Sequence, residues 1–215
     1  MSRGRRSVSF GVEILSFPET LQFRRDQRFR RAIFDIDRKV FGELSARDTG
    51  WETQWAQVTE HRPDSYIVAV DARSRTPVAY LDIFPLTKLA SSQIKQGALG
   101  DGELCAEDVV GMQGQVSSLY VMTIAVAPEW QRLGLARSLW SRAVRYWTTF
   151  APAETFATIW SPSGRRFFSS LQTSVIGRDP HGHETISLRL ADLDAEVICH
   201  PEDRPMMLQP ALSAA

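Results

Sequence analysis

Apolar residues recur along this chain at two spacings, and the spacing separates strands from helices. Residues 8 to 15 (VSFGVEIL) alternate loosely and predict a first strand, which Pro18 closes. From Leu21 to Phe41 the apolar groups Phe29, Ile33, Ile36, Val40 and Phe41 fall at helical intervals, with Arg24, Arg25, Arg28 and Arg31 between them. Asp26, Asp35 and Asp37 interleave with these arginines, so the run reads as a solvated helix face rather than a polyanion site. Trp51 to Glu60 predicts a second helix, with Asp48 or Thr49 as its cap. SYIVAVDA (65 to 72) and PVAYLDIFPL (77 to 86) then predict an antiparallel hairpin across RSRT, ended by Pro85.

Residues 87 to 115 lack a sustained period and are too long for a bare connection, which predicts a partly helical excursion or a lid. Val116 to Val126 is the clearest strand and Arg132 to Phe150 the clearest helix. In that helix Leu135, Leu139, Ala143 and Trp147 form a stripe with Ala136, Trp140 and Val144, suited to packing on a sheet. FATIW (156 to 160) reads as a strand and SGRRFFSSL (163 to 171) as a short helix. TSVIG and ETISLRL close the pattern as a pair across RDPHGH. Hairpins therefore flank a strand-helix-strand centre, a mixed α/β order within one domain over residues 1 to 195. Residues 196 to 215 read as a proline-containing tail.

Composition narrows the function classes. The 215 residues are 43% hydrophobic, enough for one well-buried domain. Lys plus Arg and Asp plus Glu each count 25, so no global field favours nucleic acid or an anionic membrane. Cys105 and Cys199 lie far apart without a metal-ligand spacing, and no segment approaches the roughly 18 apolar residues of a spanning helix. A cytoplasmic protein with free thiols is expected.

The turn "IAVAPEWQRLGLARSLW" carries the chemistry. It sets unpaired backbone amides at a helix start, where the dipole favours an anion, and Gly134 lets a phosphate approach the main chain. Neither GxGxxG nor GxxxxGK[ST] is present, so a different phosphate-bearing cofactor is implied. "LYVMTIAVAPEWQRLGLARSLW" resembles the acyl-CoA-binding motif of the GNAT superfamily N-acetyltransferases, with Gln131, Gly134 and Ala136 at its signature positions. SPSGRRFF falls where such proteins carry a short helix.

The resemblance implies a GNAT-type fold, a mostly antiparallel twisted sheet flanked by helices. It also implies transfer of an acetyl or other short acyl group from acyl-CoA directly to an amine, on a small molecule or a peptide. Pantetheine would lie along Ile124, Ala125 and Val126. Its pyrophosphate would rest on the amides of Arg132, Leu133, Gly134, Leu135, Ala136 and Arg137, with Arg137 or Ser138 adding a side-chain contact. Two alternatives stay open: an N-acyl amino acid or acyl-homoserine-lactone type synthase with longer donors, and a non-catalytic acyl-CoA sensor. A homodimer through strand pairing is compatible with the pattern.

The base and acid depart from the family pattern. The usual base positions fall on Tyr120 and Met122, and the usual acid on Phe168, which has no proton to give. Tyr120, with an ordinary pKa near 10, suits a proton relay or a buried structural role. Asp82 is a carboxylate in an otherwise apolar strand, sharing a face with Tyr80 and Phe84, and is the second catalytic candidate. A thiol with pKa near 8.5 can leave without an acid. His181 and His183 read as a solvated turn, and no metal is expected.

Overall fold

The computed structural model describes residues 11–15, 20, 26–42 and 52–190. Seven strands form one sheet in the order β1-β2-β3-β4-β5-β7-β6. They are β1 (Val12–Ile14), β2 (Tyr66–Asp71), β3 (Pro77–Pro85), β4 (Ser118–Val126), β5 (Glu154–Ile159), β6 (Thr173–Arg178) and β7 (Glu184–Leu188). Every neighbouring pair is antiparallel except β4 with β5. Parallel neighbours need a crossover, which α4 (Leu135–Trp147) supplies. Among the described residues the other α-helices of several turns are α1 (Gln27–Phe41), α2 (Glu52–His61), α3 (Lys88–Lys95) and α5 (Pro162–Ser169).

Side-chain alternation divides the core between the two faces of the sheet. Ala79, Leu81 and Ile83 of β3 join Leu119 and Val121 of β4 against Leu139, Trp140 and Trp147 of α4 and Phe168 of α5. On the opposite face, Tyr80 packs with Phe29, Ile33 and Ile36 of α1, while Phe84 packs with Val58 of α2, Ala90 and Ile94 of α3, and Tyr120. Asp82 stands between these two apolar clusters, where the covering helices part.

Local chemistry explains most element boundaries. The Asp26 side chain caps α1 by accepting from the Arg28 amide at 2.8 Å, and Gly42 ends the helix at positive φ. The excursion of residues 87 to 115 contains α3, capped by Thr87. The long helix expected from Arg132 begins instead at Leu135. Arg132 and Gly134 both take positive φ, 65° and 78°, which no helical turn accommodates. The early part of the first strand, residues 21–25, the Asp48 and Thr49 caps, Cys199 and the tail from 196 lie outside the described residues. Among the described residues no helix is long and apolar enough to cross a membrane.

Among the described residues one ion pair sits wholly inside. Arg62 Nε lies 2.7 Å from Asp64 Oδ1, with both side chains almost fully buried. The same guanidinium donates to the Gly111 carbonyl at 2.8 Å and lies over the Trp147 ring. The Tyr146 hydroxyl donates to Asp64 at 2.5 Å. Arg62 thereby ties α2 to α4 and to the end of the excursion.

Asp37 of α1 turns inward and accepts from the Tyr80 hydroxyl. Burial pushes its carboxyl from 3.8 up to about 6, against the pull of that hydrogen bond. A raised carboxyl favours the folded state below its ordinary value, and this contribution is lost as pH climbs from about 4 through 6. Asp37→Asn keeps an acceptor for Tyr80 and removes the buried charge. Thermal melts are expected to show stabilisation at pH 8 and a smaller gain at pH 5; the reverse order contradicts the assignment.

Candidate active site

The site begins with a fault in the sheet. Asp82 pairs with Thr123 and Ile83 with Val121, so Met122 is an extra residue on β4 without a partner on β3. Such a bulge bends a strand and re-aims its side chains. On the other edge, β4 pairs with β5 only from Ser118↔Glu154 to Val121↔Ala157. Beyond Val121 the two strands separate while β5 continues through Thr158 and Ile159. The splay and the bulge therefore coincide.

Main-chain alternation determines what faces the splay. The Ala127 amide donates to the Val78 carbonyl at 2.9 Å, and Val126 lies opposite Ala79. In a regular antiparallel ladder this turns Ala125 toward β3 and leaves the N–H and C=O groups of Ile124 and Val126 pointing toward the gap. The Val126 carbonyl accepts from Gln131 Nε2 at 3.0 Å, which ties the following turn back to the strand.

That turn forms a concave run of amides. The Ser138 amide is the first to donate backward, to the Gly134 carbonyl at 3.0 Å, so the amides of Leu135, Ala136 and Arg137 have no acceptor within α4. The left-handed conformations of Arg132 and Gly134 turn successive amides together, the geometry of an anion-binding nest. A Cβ built at Gly134 would meet nothing within 4 Å, so the approach to the main chain is open.

A cleft of about 1770 Å³ runs from this turn into the splay and on between α1 and β3. Ile124, Val126, Gln131, Arg132, Gly134, Leu135, Ala136 and Arg137 line it. Three other residues from the motif stand outside its wall. Ala125 is committed to Tyr80 through its main chain, Leu133 projects outward at 56% exposure, and the Ser138 amide is taken by Gly134.

The catalytic candidates are placed differently. Asp82 lines the cleft at 4% exposure, on a strand buried along its whole length. Tyr120 is 1% exposed and outside the cleft wall; its hydroxyl donates to Asp101 and lies 2.8 Å from Thr158 Oγ1. Phe168 reaches the cleft but packs edge-on against Trp140 and Phe167. His181 and His183 are not simply solvated. The first lies 3.0 Å from Glu103, and the second lies 3.1 Å from Asp179 and stacks on Trp160. Among the described residues no group of three or more His, Cys, Asp or Glu side chains could hold a metal ion.

Asp101 is the residue that pattern reading overlooked. It sits in the excursion, 6% exposed, and lines the cleft together with Met122 and Thr158. Its signal was faint: one of two acids in a loop segment, ALGDGEL, with no periodicity to orient it.

No family model matches the chain, and no curated protein matches it. Solved structures do. An acetyltransferase of the GNAT family from Staphylococcus aureus superposes with a TM-score of 0.56 at 10% identity, over 84% of this chain and 99% of its own. A mosquito arylalkylamine N-acetyltransferase-like protein gives 0.54 at 13% identity, over 84% and 100%. The loading GNATL domain of CurA from Lyngbya majuscula gives 0.53 at 11%, over 85% and 98%. Together with the sheet order, these likenesses show that the chain has the fold of the GNAT acetyltransferases.

Proposed function

We propose that this chain transfers an acetyl or other short acyl group from acyl-CoA to an amine. One observation carries the reading: the gap between β4 and β5 opens directly onto the amides before α4, with nothing covering Gly134. The residues present suit coenzyme A at both ends. The outward N–H and C=O groups of Ile124 and Val126 match an amide-bearing arm, which would complete the ladder that β5 abandons. The nest of Arg132 to Arg137, with the start of α4, matches a pyrophosphate. Arg137 and Arg132 line the same stretch and supply positive charge.

The acyl-CoA would supply an activated thioester. The chain's own task is to hold that carbon near Met122, bring an amine from the side of α1, α2 and β3, and keep bulk water out of the splay. Phe167 and Phe168 form an apolar wall there. A CoA thiolate is a tolerable leaving group, so a wall without an acid is compatible with turnover.

Titration calorimetry with acetyl-CoA, followed by thiol release on adding propylamine, 2-phenylethylamine, putrescine and a short peptide with a free amino terminus, tests the proposal. Binding with thiol release dependent on at least one amine is expected. In a parallel assay, release from a long-chain acyl-CoA but not from acetyl-CoA would move the reading to an acyl synthase. Binding without release would move it to a sensor, and absence of binding would end it.

A further inference from the structure

On β4, Tyr120 stands one residue before the last that pairs with β5, and its hydroxyl enters a buried network. The excursion between β3 and β4 brings a carboxylate back to that place. Asp101 accepts from the Tyr120 hydroxyl, and its side chain lines the cleft beside Met122 and Thr158. A phenol has a single proton, which goes to Asp101, so the Thr158 hydroxyl donates to the Tyr120 oxygen at 2.8 Å. The chain of donors runs Thr158 to Tyr120 to Asp101. Burial and the adjacent carboxylate push the Tyr120 phenol well above its usual value, so it stays a donor and cannot be the base.

The loop carrying Asp101 is held on both sides. Leu99 and Leu104 are buried in the cluster of Tyr120, Met122 and Phe156. Gly97 packs against the Arg178 carbonyl, and Gly100 against Pro180 and Asp179 at the β6–β7 turn. The Gly100 amide donates to Glu103 at 3.2 Å.

Several charges face this carboxyl. Burial pushes it from 3.8 up to about 7; the Tyr120 hydroxyl and the Trp160 indole pull it down, while Asp179 and Glu103 push it up. Those two acids are engaged with His183 and His181. Asp82 of β3 lines the same cleft.

We infer that Asp101 is the general base of the transfer, with Tyr120 and Thr158 as its positioning residues. The inference rests on the acyl-transfer reading above. Asp101 takes one proton from the incoming ammonium, freeing the nitrogen lone pair. That pair forms the C–N bond to the acyl carbon while the C–S bond breaks and its electrons leave on sulfur. The nitrogen's surplus proton neutralises the thiolate, and Asp101 returns its proton to solvent, which leaves an amide and CoA thiol.

The experiment follows thiol release from acetyl-CoA with the best of the four amines named above, across pH 5 to 9, beside calorimetric acetyl-CoA binding. For the native chain, kcat/KM is expected to rise with pH and level off above about 7. Asp101→Asn, nearly isosteric, is expected to lower kcat about 100-fold or more and to leave acetyl-CoA affinity within twofold. Tyr120→Phe removes a hydrogen bond that pulls the carboxyl down, so its acid limb should move to higher pH. A packing role for Tyr120 would lower the melting temperature without moving that limb. Retention of kcat within threefold in Asp101→Asn, or an unmoved limb in Tyr120→Phe, overturns the inference while leaving acyl transfer standing. A native chain that binds acetyl-CoA yet releases no thiol with any of the amines overturns both.

Discussion

Replacing Gly134 with aspartate is expected to weaken acetyl-CoA binding about 100-fold, near 2.7 kcal/mol, without unfolding the protein. The physical case has two parts. A Cβ at φ 78° meets no neighbour within 4 Å, so the main cost to the fold is the strain of a left-handed residue, about 1 kcal/mol and less for aspartate. The new carboxylate would stand where the pyrophosphate approaches the amides of Leu135 to Arg137, and two like charges about 4 Å apart repel by roughly 4 kcal/mol near a protein surface. Gly134→Asn separates bulk from charge and should lose about tenfold. The gap between the two variants should narrow as salt rises, because the cradle is solvent-facing. Calorimetry reads all three quantities. Equal affinity in Gly134→Asp and the native chain would remove the phosphate cradle from the account.

Arg62→Ala carries the largest expected effect on stability, a loss of about 3 to 5 kcal/mol. The value comes less from the ion pair than from what its loss leaves behind. Asp64 would remain buried with only the Tyr146 hydroxyl, the Gly111 carbonyl would keep only the Gly114 amide, and Trp147 would lose the cation over its ring. For a chain of this size the loss corresponds to a fall in melting temperature of roughly 6 to 20 °C. Arg142→Ala, on the exposed side of α4, serves as the control and should change stability by no more than about 0.5 kcal/mol. A fall of less than 3 °C in Arg62→Ala would show that the pair is compensated elsewhere.

How much of this was legible before the structure depends on the distance over which each feature is encoded. The strands, the hairpins and α4 follow from periodicity within a dozen residues, and the Gly134 turn from chemistry within six. Arg132 shows where local rules lose sight: a left-handed arginine has no signature in residue type, yet it helps set both the helix start and the nest. Asp82 shared a face with Tyr80 and Phe84, as alternation implied. Its depth could not be read locally, because α1 and α2 lie tens of residues upstream in the chain. Tyr120 and Asp101 are 19 positions apart in sequence and meet only through the folded excursion. A pairing of that kind leaves no period, only an isolated acid between glycines.

The contact between Gly97 and the Arg178 carbonyl has a further consequence. A methyl group at Gly97 would overlap that oxygen, and its φ of 71° disfavours any side chain, so two backbones touch there with nothing between them. The location of the Asp101 carboxylate is thus inherited jointly from β4, through Tyr120 and Met122, and from the hairpin of β6 and β7 at the far border of the sheet. A change in the β6–β7 turn is therefore expected to shift the Asp101 loop while leaving the amides that precede α4 in place.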